Sequence, residues 1–169
     1  MKLKPPRSLP QLRWTPLLLG LPVLSIWQPY AWLVVNGIKT LENRSWRTHY
    51  RGPVLIHASA SLVNLTVAEC KKYGARGGVH MPKNYAIGGV IGYVEIVDCV
   101  RHHHSVWKHR GTWGWILANA RPLHFRRCKG AISFFYPHWQ SGSGEWKDGR
   151  TGAHPNVTSP RSARVGSRQ

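Results

Sequence analysis

The sequence predicts an α+β fold, a small mixed β-barrel with flanking helices, in a chain of 169 residues. Two patterns are compatible with it. Strand-like apolar runs are broken by glycines, as at Gly88, Gly89 and Gly92 within residues 85–100, and interior glycines mark bulges, barrel corners or the close approach of a ligand. Only two helical stretches stand out, one after Pro29 and one after Ser61, so sheet dominates. The length suits one domain with a real core and a tail at each end.

Taken in order, residues 1–21 read as a flexible basic arm, since residues 1–20 hold four prolines, four basic residues and no acid. Residues 22–137 form the domain. It opens with a short apolar strand over 23–26. Pro29 suits the first turn of a helix through Ala31, Trp32, Leu33, Val34 and Val35. Gly37 ends that helix in a left-handed cap and releases the chain into an extended segment. Residues 39–46 read as a strand, 48–52 as a polar turn and 53–58 as a buried strand. Ser61 is placed to cap a helix through Leu62, Leu65, Ala68, Cys70 and Lys72. Residues 74–83 are a glycine-rich basic loop without the Gly-Lys-Ser/Thr of a phosphate-binding loop. Strands over 85–100, 114–125 and 131–135 complete the sheet. From Ser141 the chain is rich in Gly, Ser, Pro and Arg with almost no aliphatic residues, so residues 138–169 read as a disordered tail.

Lysine and arginine number 24 against 6 acids, for a formal net charge of +18. Such a balance predicts attraction to polyanions, RNA first and DNA as the alternative. A membrane surface is not expected, because no long basic amphipathic helix is visible. Cys70, Cys99 and Cys128 are odd in number and far apart, which fits free thiols in a reducing compartment, not a disulfide frame or zinc site. The apolar run over 17–24 is short and broken by Gly20 and Pro22, so it is not read as a secretory signal or a membrane span. The expected compartment is the cytoplasm.

The stretch richest in chemistry is Asn36-Gly37-Ile38-Lys39-Thr40-Leu41-Glu42-Asn43-Arg44-Ser45-Trp46. In a chain so poor in acids, a carboxylate between two cations is not casual decoration. Strand parity puts Glu42, Arg44 and Trp46 on one face. Lys39 joins them only if the chain bends over residues 39–41. One reading is an ordinary exposed ion pair, worth about 0–1 kcal/mol. The other is a partly buried Lys-Glu-Arg cluster at the mouth of a cavity, holding an anionic or hydrogen-bonding ligand.

Gly37, Lys39, Glu42 and Arg44 match the G-x-K-x-x-E-x-R hallmark of the ASCH domain family. Flanking blocks over residues 24–32, 50–59, 88–99, 113–123 and 129–131 follow the family in order, so the resemblance covers roughly residues 23–136. It implies a PUA-like β-barrel with flanking helices and a cleft used for RNA. It implies that Lys39, Glu42 and Arg44 line that cleft and that the strand carrying His57 and Ser59 borders it. His57 has two readings, a core histidine bonded to backbone or a ligand contact. Gln28 and Tyr30 are placed to shape the rim, Gln28 reading the polar edge of a base and Tyr30 stacking on it. Trp32 is expected in the core. Trp107, Trp113 and Trp115 lie among Lys108, His109, Arg110 and Arg121. One of the three is expected on a nucleic-acid surface, and Trp113 with Arg121 is assigned there. His102, His103 and His104 read as a solvated loop, since adjacent residues of an extended chain point apart and chelate one ion poorly.

Some ASCH-like proteins are amidohydrolases acting on acetylated cytidine, and others have been assigned ribonuclease activity. The amidohydrolase type uses a Lys, a Thr and a distant Glu. Lys39 matches that Lys, but Glu42 stands where the Thr nucleophile is found, and Thr40 is out of register. If the protein is an enzyme, Lys39 and Glu42 are the catalytic candidates. Glu42 flanked by two cations is a better orienter than general base. The expected function is therefore binding of RNA or a nucleotide-like ligand, without cofactor or metal. The alternatives are a hydrolase on RNA or a modified nucleoside, and a protein-interaction module in transcription or translation control.

Overall fold

The computed structural model describes residues 9–62 and 81–139. Its elements in chain order are α1 (Pro16–Leu19), β1 (Val23–Gln28), α2 (Tyr30–Val35), β2 (Leu41–Arg44), β3 (Gly52–Leu62), β4 (Gly89–Val100), β5 (Trp113–Arg127) and β6 (Phe134–Phe135). The fold is mostly sheet with a few short helices. The six strands lie in the order β2-β5-β4-β3-β1-β6. β1 and β3 are parallel, joined through α2 and β2, and the remaining pairs are antiparallel.

Side chains alternate across the sheet with a period of two, and both faces are covered. Leu24, Ile26, Val54, Ile56, Val94, Ile96, Trp115 and Leu117 face α2, packing on Ala31, Val34 and Val35. Val23, Leu55, Val90 and Leu123 face the other way, beneath Trp14, Leu18, Leu21 and Trp139. Two covered faces explain why residues 54–56 are apolar without interruption.

The expected barrel does not close through backbone bonding among the described residues: β2 and β6 are the two edges of an open sheet. The sheet nevertheless curls. Four strand spacings separate β2 from β1, about 19 Å across a flat sheet. Yet Arg44 of β2 donates from Nη2 to the Ser25 carbonyl of β1 at 2.7 Å. Aromatic rings fill the gap between the edges. Phe134 of β6 stacks on Trp115 of β5, with centroids 5.4 Å apart and an interplanar angle of 24°, and Trp46 meets both edge-on. Bulges help the curl: the β4–β5 register slips at three places, with extra residues in β5 at Val90–Gly92 and at Tyr93–Glu95 and an extra residue in β4 at Ile96–Asp98.

Element ends differ from expectation in instructive ways. The strand expected over 39–46 is only Leu41–Arg44, because residues 37–40 close α2. Gly37, at φ +72°, donates to Val34 O at 3.0 Å, and Ile38 donates to Leu33 O at 2.9 Å. These two bonds form a Schellman cap. Ser61, expected to cap a helix, lies in strand β3; the body of that helix, Cys70 and most of the 74–83 loop lie outside the described residues. Of the arm expected over 1–21, the described part runs along β5. Leu12 bridges Leu123, and Trp14 donates from Nε1 to His124 O at 2.7 Å. Of the 138–169 tail, only His138 and Trp139 are described, and Trp139 Nε1 donates to Leu19 O at 3.0 Å.

Gly92 sits where a Cβ would fall 2.6 Å from both Arg121 O and Val35 Cγ1. Gly37 has room for a Cβ, 3.7 Å from Ala120 Cβ, but not the right φ. Gly92→Ala is therefore expected to cost about 1–3 kcal/mol through overpacking of β4 against β5 and α2. Gly37→Ala is expected to cost about 1–2 kcal/mol through backbone strain alone. Urea unfolding checks both: the Gly92 variant should lose at least as much stability as the Gly37 variant.

Candidate functional site

Gly37 places Lys39. Once α2 is capped, the Lys39 amide also donates to Leu33 O at 3.1 Å, and its side chain turns back under β2. Nζ then donates to Leu41 O at 2.6 Å and to Glu42 Oε2 at 2.5 Å, and lies 5.7 Å from the centroid of the Tyr30 ring. Only 5 % of Lys39 and 9 % of Glu42 are exposed, so this is the buried cluster, not the surface pair. The bend needed to bring Lys39 to the face of Glu42 is present.

Glu42 Oε1 lies 3.3 Å from Arg44 Nε. The charges attract, but the N–H does not point at the oxygen, and Nε has no hydrogen-bond partner. Arg44 spends its directional bonding on Ser25 O instead and lays its guanidinium 5.8 Å from the centroid of the Trp115 ring. Both oxygens of Glu42 thus have a cation beside them, and one of the two cations bridges to the far side of the curled sheet.

These side chains line a cleft of about 1450 Å³. The far wall is built on His57 of β3. His57 Nε2 lies 3.0 Å from Cys128 O and Nδ1 lies 3.2 Å from Ser25 Oγ. A carbonyl only accepts, so Nε2 carries the proton and Nδ1 accepts from the Ser25 hydroxyl. Burial holds the imidazole below its ordinary pKa of 6.5, partly offset by the bond to Cys128 O, which keeps the ring neutral. Gly130 lies flat against it, where a Cβ would come within 2.6 Å of His57 Cε1. Both readings of His57 therefore hold geometrically: it bonds to backbone and it lines the cleft. Burial pushes the neighbouring Cys128 thiol up to about 12, so it stays protonated and is no nucleophile.

Tyr30, Lys39, Glu42, Arg44, His57 and Ser59 all line the cleft. Gln28, Trp113 and Arg121 do not. Gln28 is 1 % exposed and structural: Oε1 accepts the Trp32 amide at 3.0 Å, satisfying a donor of the first turn of α2, and Nε2 donates to Ala86 O at 2.9 Å. Trp113 is half-buried at the start of β5, and Arg121 is exposed midway along it. Of the other two tryptophans, Trp115 is core and Trp107 is buried against the cleft.

Several lining residues carried no signal in the sequence. Trp27, Val106 and Ile132 are 59 %, 66 % and 95 % exposed at the rim. Arg127 and Lys129 follow from the end of β5. Asn43 fixes one side by pinning the loop before β5, donating to Trp107 O at 2.6 Å and accepting from the His109 amide at 2.9 Å. Among the described residues no three His, Cys, Asp or Glu side chains come together as metal ligands. No helix among them is long and apolar enough to cross a membrane.

Over 81 residues the chain is 38% identical to activating signal cointegrator 1 of Homo sapiens and 37% identical to that of Mus musculus. The aligned stretch is 46% of this chain and only 14% of the length of either relative. A crystal structure of a mutant ASCH protein from Zymomonas mobilis aligns with a TM-score of 0.42 and 15% identity, covering 64% of this chain and 76% of that one. The model of the ASCH domain matches residues 24–141, a span that holds every lining residue named above, and the chain belongs to the ASCH domain family.

Proposed function

We propose that the cleft binds single-stranded RNA, with Lys39, Glu42 and Arg44 forming its floor. The supporting observation is the charge of the cleft. Four cations, Lys39, Arg44, Arg127 and Lys129, line it against one carboxylate, Glu42, which the first two already engage. The surplus falls on exposed Arg127 and Lys129, where it suits phosphates. Exposed Trp27 offers a stacking face for an unpaired base. The volume exceeds the roughly 300–1,000 Å³ of an ordinary small-molecule pocket, which favours a stretch of strand over a lone nucleotide. ASCH membership, in a PUA-like class of domains generally associated with RNA, supports the same reading.

The hydrolase alternative needs a base. Glu42 has a cation on each oxygen and His57 has both nitrogens engaged. Neither is poised to take a proton from water, so Glu42 acts as the orienter of the two cations.

Three outcomes are expected. Arg127→Ala/Lys129→Ala should flatten the log–log salt dependence of single-stranded RNA affinity by about 1.4, the value for two phosphate contacts to a single strand. Fluorescence anisotropy over a salt series reads this, with product analysis on the same samples. An unchanged slope would move nucleic acid out of the cleft, and product formed by wild type but not by Glu42→Gln would make the protein a hydrolase. Glu42→Gln should also cost about 3–5 kcal/mol in urea unfolding, because it leaves buried Lys39 without its counter-charge. The third outcome concerns His57, whose folded-state pKa lies below its unfolded value. The folded state therefore binds fewer protons, and His57 contributes full stability above pH 6.5 that is lost as pH falls from there through the folded-state pKa. The urea midpoint should drop between pH 7.5 and pH 5, and His57→Gln should remove much of that drop.

A further inference from the structure

Trp113 lies outside the cleft, half-buried against the core where β5 begins. Two guanidinium groups meet its indole. Arg47, from the loop after β2, has Cζ 5.4 Å from the ring centroid, and Arg101, the first residue after β4, has Cζ at 5.3 Å. Both arginines are exposed and neither lines the cleft. Among the described residues the ion pairs are Lys39–Glu42, Arg44–Glu42 and Arg51–Asp98, so neither Arg47 nor Arg101 has a carboxylate partner there. Asp98, the acid at this end of β4, accepts from Arg51 Nη2 at 2.9 Å and from the Cys99 amide at 2.7 Å.

One indole thus holds two like charges at most about 11 Å apart, close to the Debye length of about 10 Å at 0.1 M salt. The ring attracts each cation through its face but neutralises neither. An oxyanion that reaches both forks would relieve the repulsion and take charge-assisted hydrogen bonds from each. We propose that Arg47, Arg101 and Trp113 form a phosphate-binding site separate from the cleft. Its ligand is a phosphate group, carried by a nucleic-acid strand or free in solution. The site does not rest on the cleft reading, because it shares no residue with it.

The test uses 1H–15N spectra of the full chain, with the Trp113 indole resonance assigned by its loss in Trp113→Phe. Inorganic phosphate and a single-stranded oligouridine are titrated separately. The Trp113 resonance is expected to move with at least one probe: movement with both shows that free phosphate suffices, and movement with RNA alone assigns the site to a strand. Arg47→Gln/Arg101→Gln should abolish the shift and, where RNA is the ligand, lower the salt slope by about 0.7, one phosphate contact to a single strand. Arg127→Ala/Lys129→Ala should leave the Trp113 shift in place, so failure of the cleft reading is seen separately. A Trp113 resonance that stays still with both probes, or that moves equally in the double-glutamine variant, would overturn the site.

Discussion

Everything at the cleft hangs on one carboxylate between two cations. A curled sheet that stops short of closing leaves two edges facing each other, and among the described residues no backbone ladder joins them. Arg44 spans the distance with its side chain, reaching Ser25 O on the far strand. A guanidinium half-buried over Trp115 is tolerable because Glu42 supplies negative charge beside it, and Lys39 in turn holds Glu42. Charge pairing is a costly way to hold an interior together, since each ion loses hydration. Its effect here is that the two sides of the gap keep a defined separation and the cleft between them stays open.

The aromatic residues do the complementary work. Trp46, Trp115 and Phe134 fill the space beneath Arg44 with apolar surface and supply ring faces and edges in place of a missing strand pair. The high tryptophan count of the sequence is thereby largely explained by packing. Trp115 and Trp46 brace the gap, Trp14 and Trp139 cover the second face of the sheet, and Trp107 backs the cleft. Trp32 packs with Leu33 and Leu41 beside α2, Trp27 is exposed at the rim of the cleft, and Trp113 lies against Arg47 and Arg101.

The parts legible in the sequence were those set by local rules. Gly37 announced the end of α2, strand parity put Glu42, Arg44 and Trp46 together, and the scarcity of acids singled out Glu42. The illegible parts were set by contacts distant in sequence. Val106, His109 and Lys129–Ile132 reach the cleft only because Asn43 pins one loop and His57 holds Cys128 O, 71 residues away. Gln28 resembled a base-reading side chain because nothing local shows that the Trp32 amide and Ala86 O would claim it. The curl of the open sheet likewise goes with register slips between β4 and β5 that no composition rule encodes. The basic, proline-rich start masked Leu12 and Trp14, whose partners are more than a hundred residues downstream.

The packing of Trp14 on Trp139, with ring centroids 5.2 Å apart, has an architectural meaning. Two segments 125 residues apart in sequence close over the second face of the sheet together, and Arg126 lies against both rings, 5.3 Å from the centroid of Trp14 and 4.7 Å from that of Trp139. Each segment therefore depends on the other for its cover, so loosening one exposes the other and the two leave the sheet as one cooperative unit.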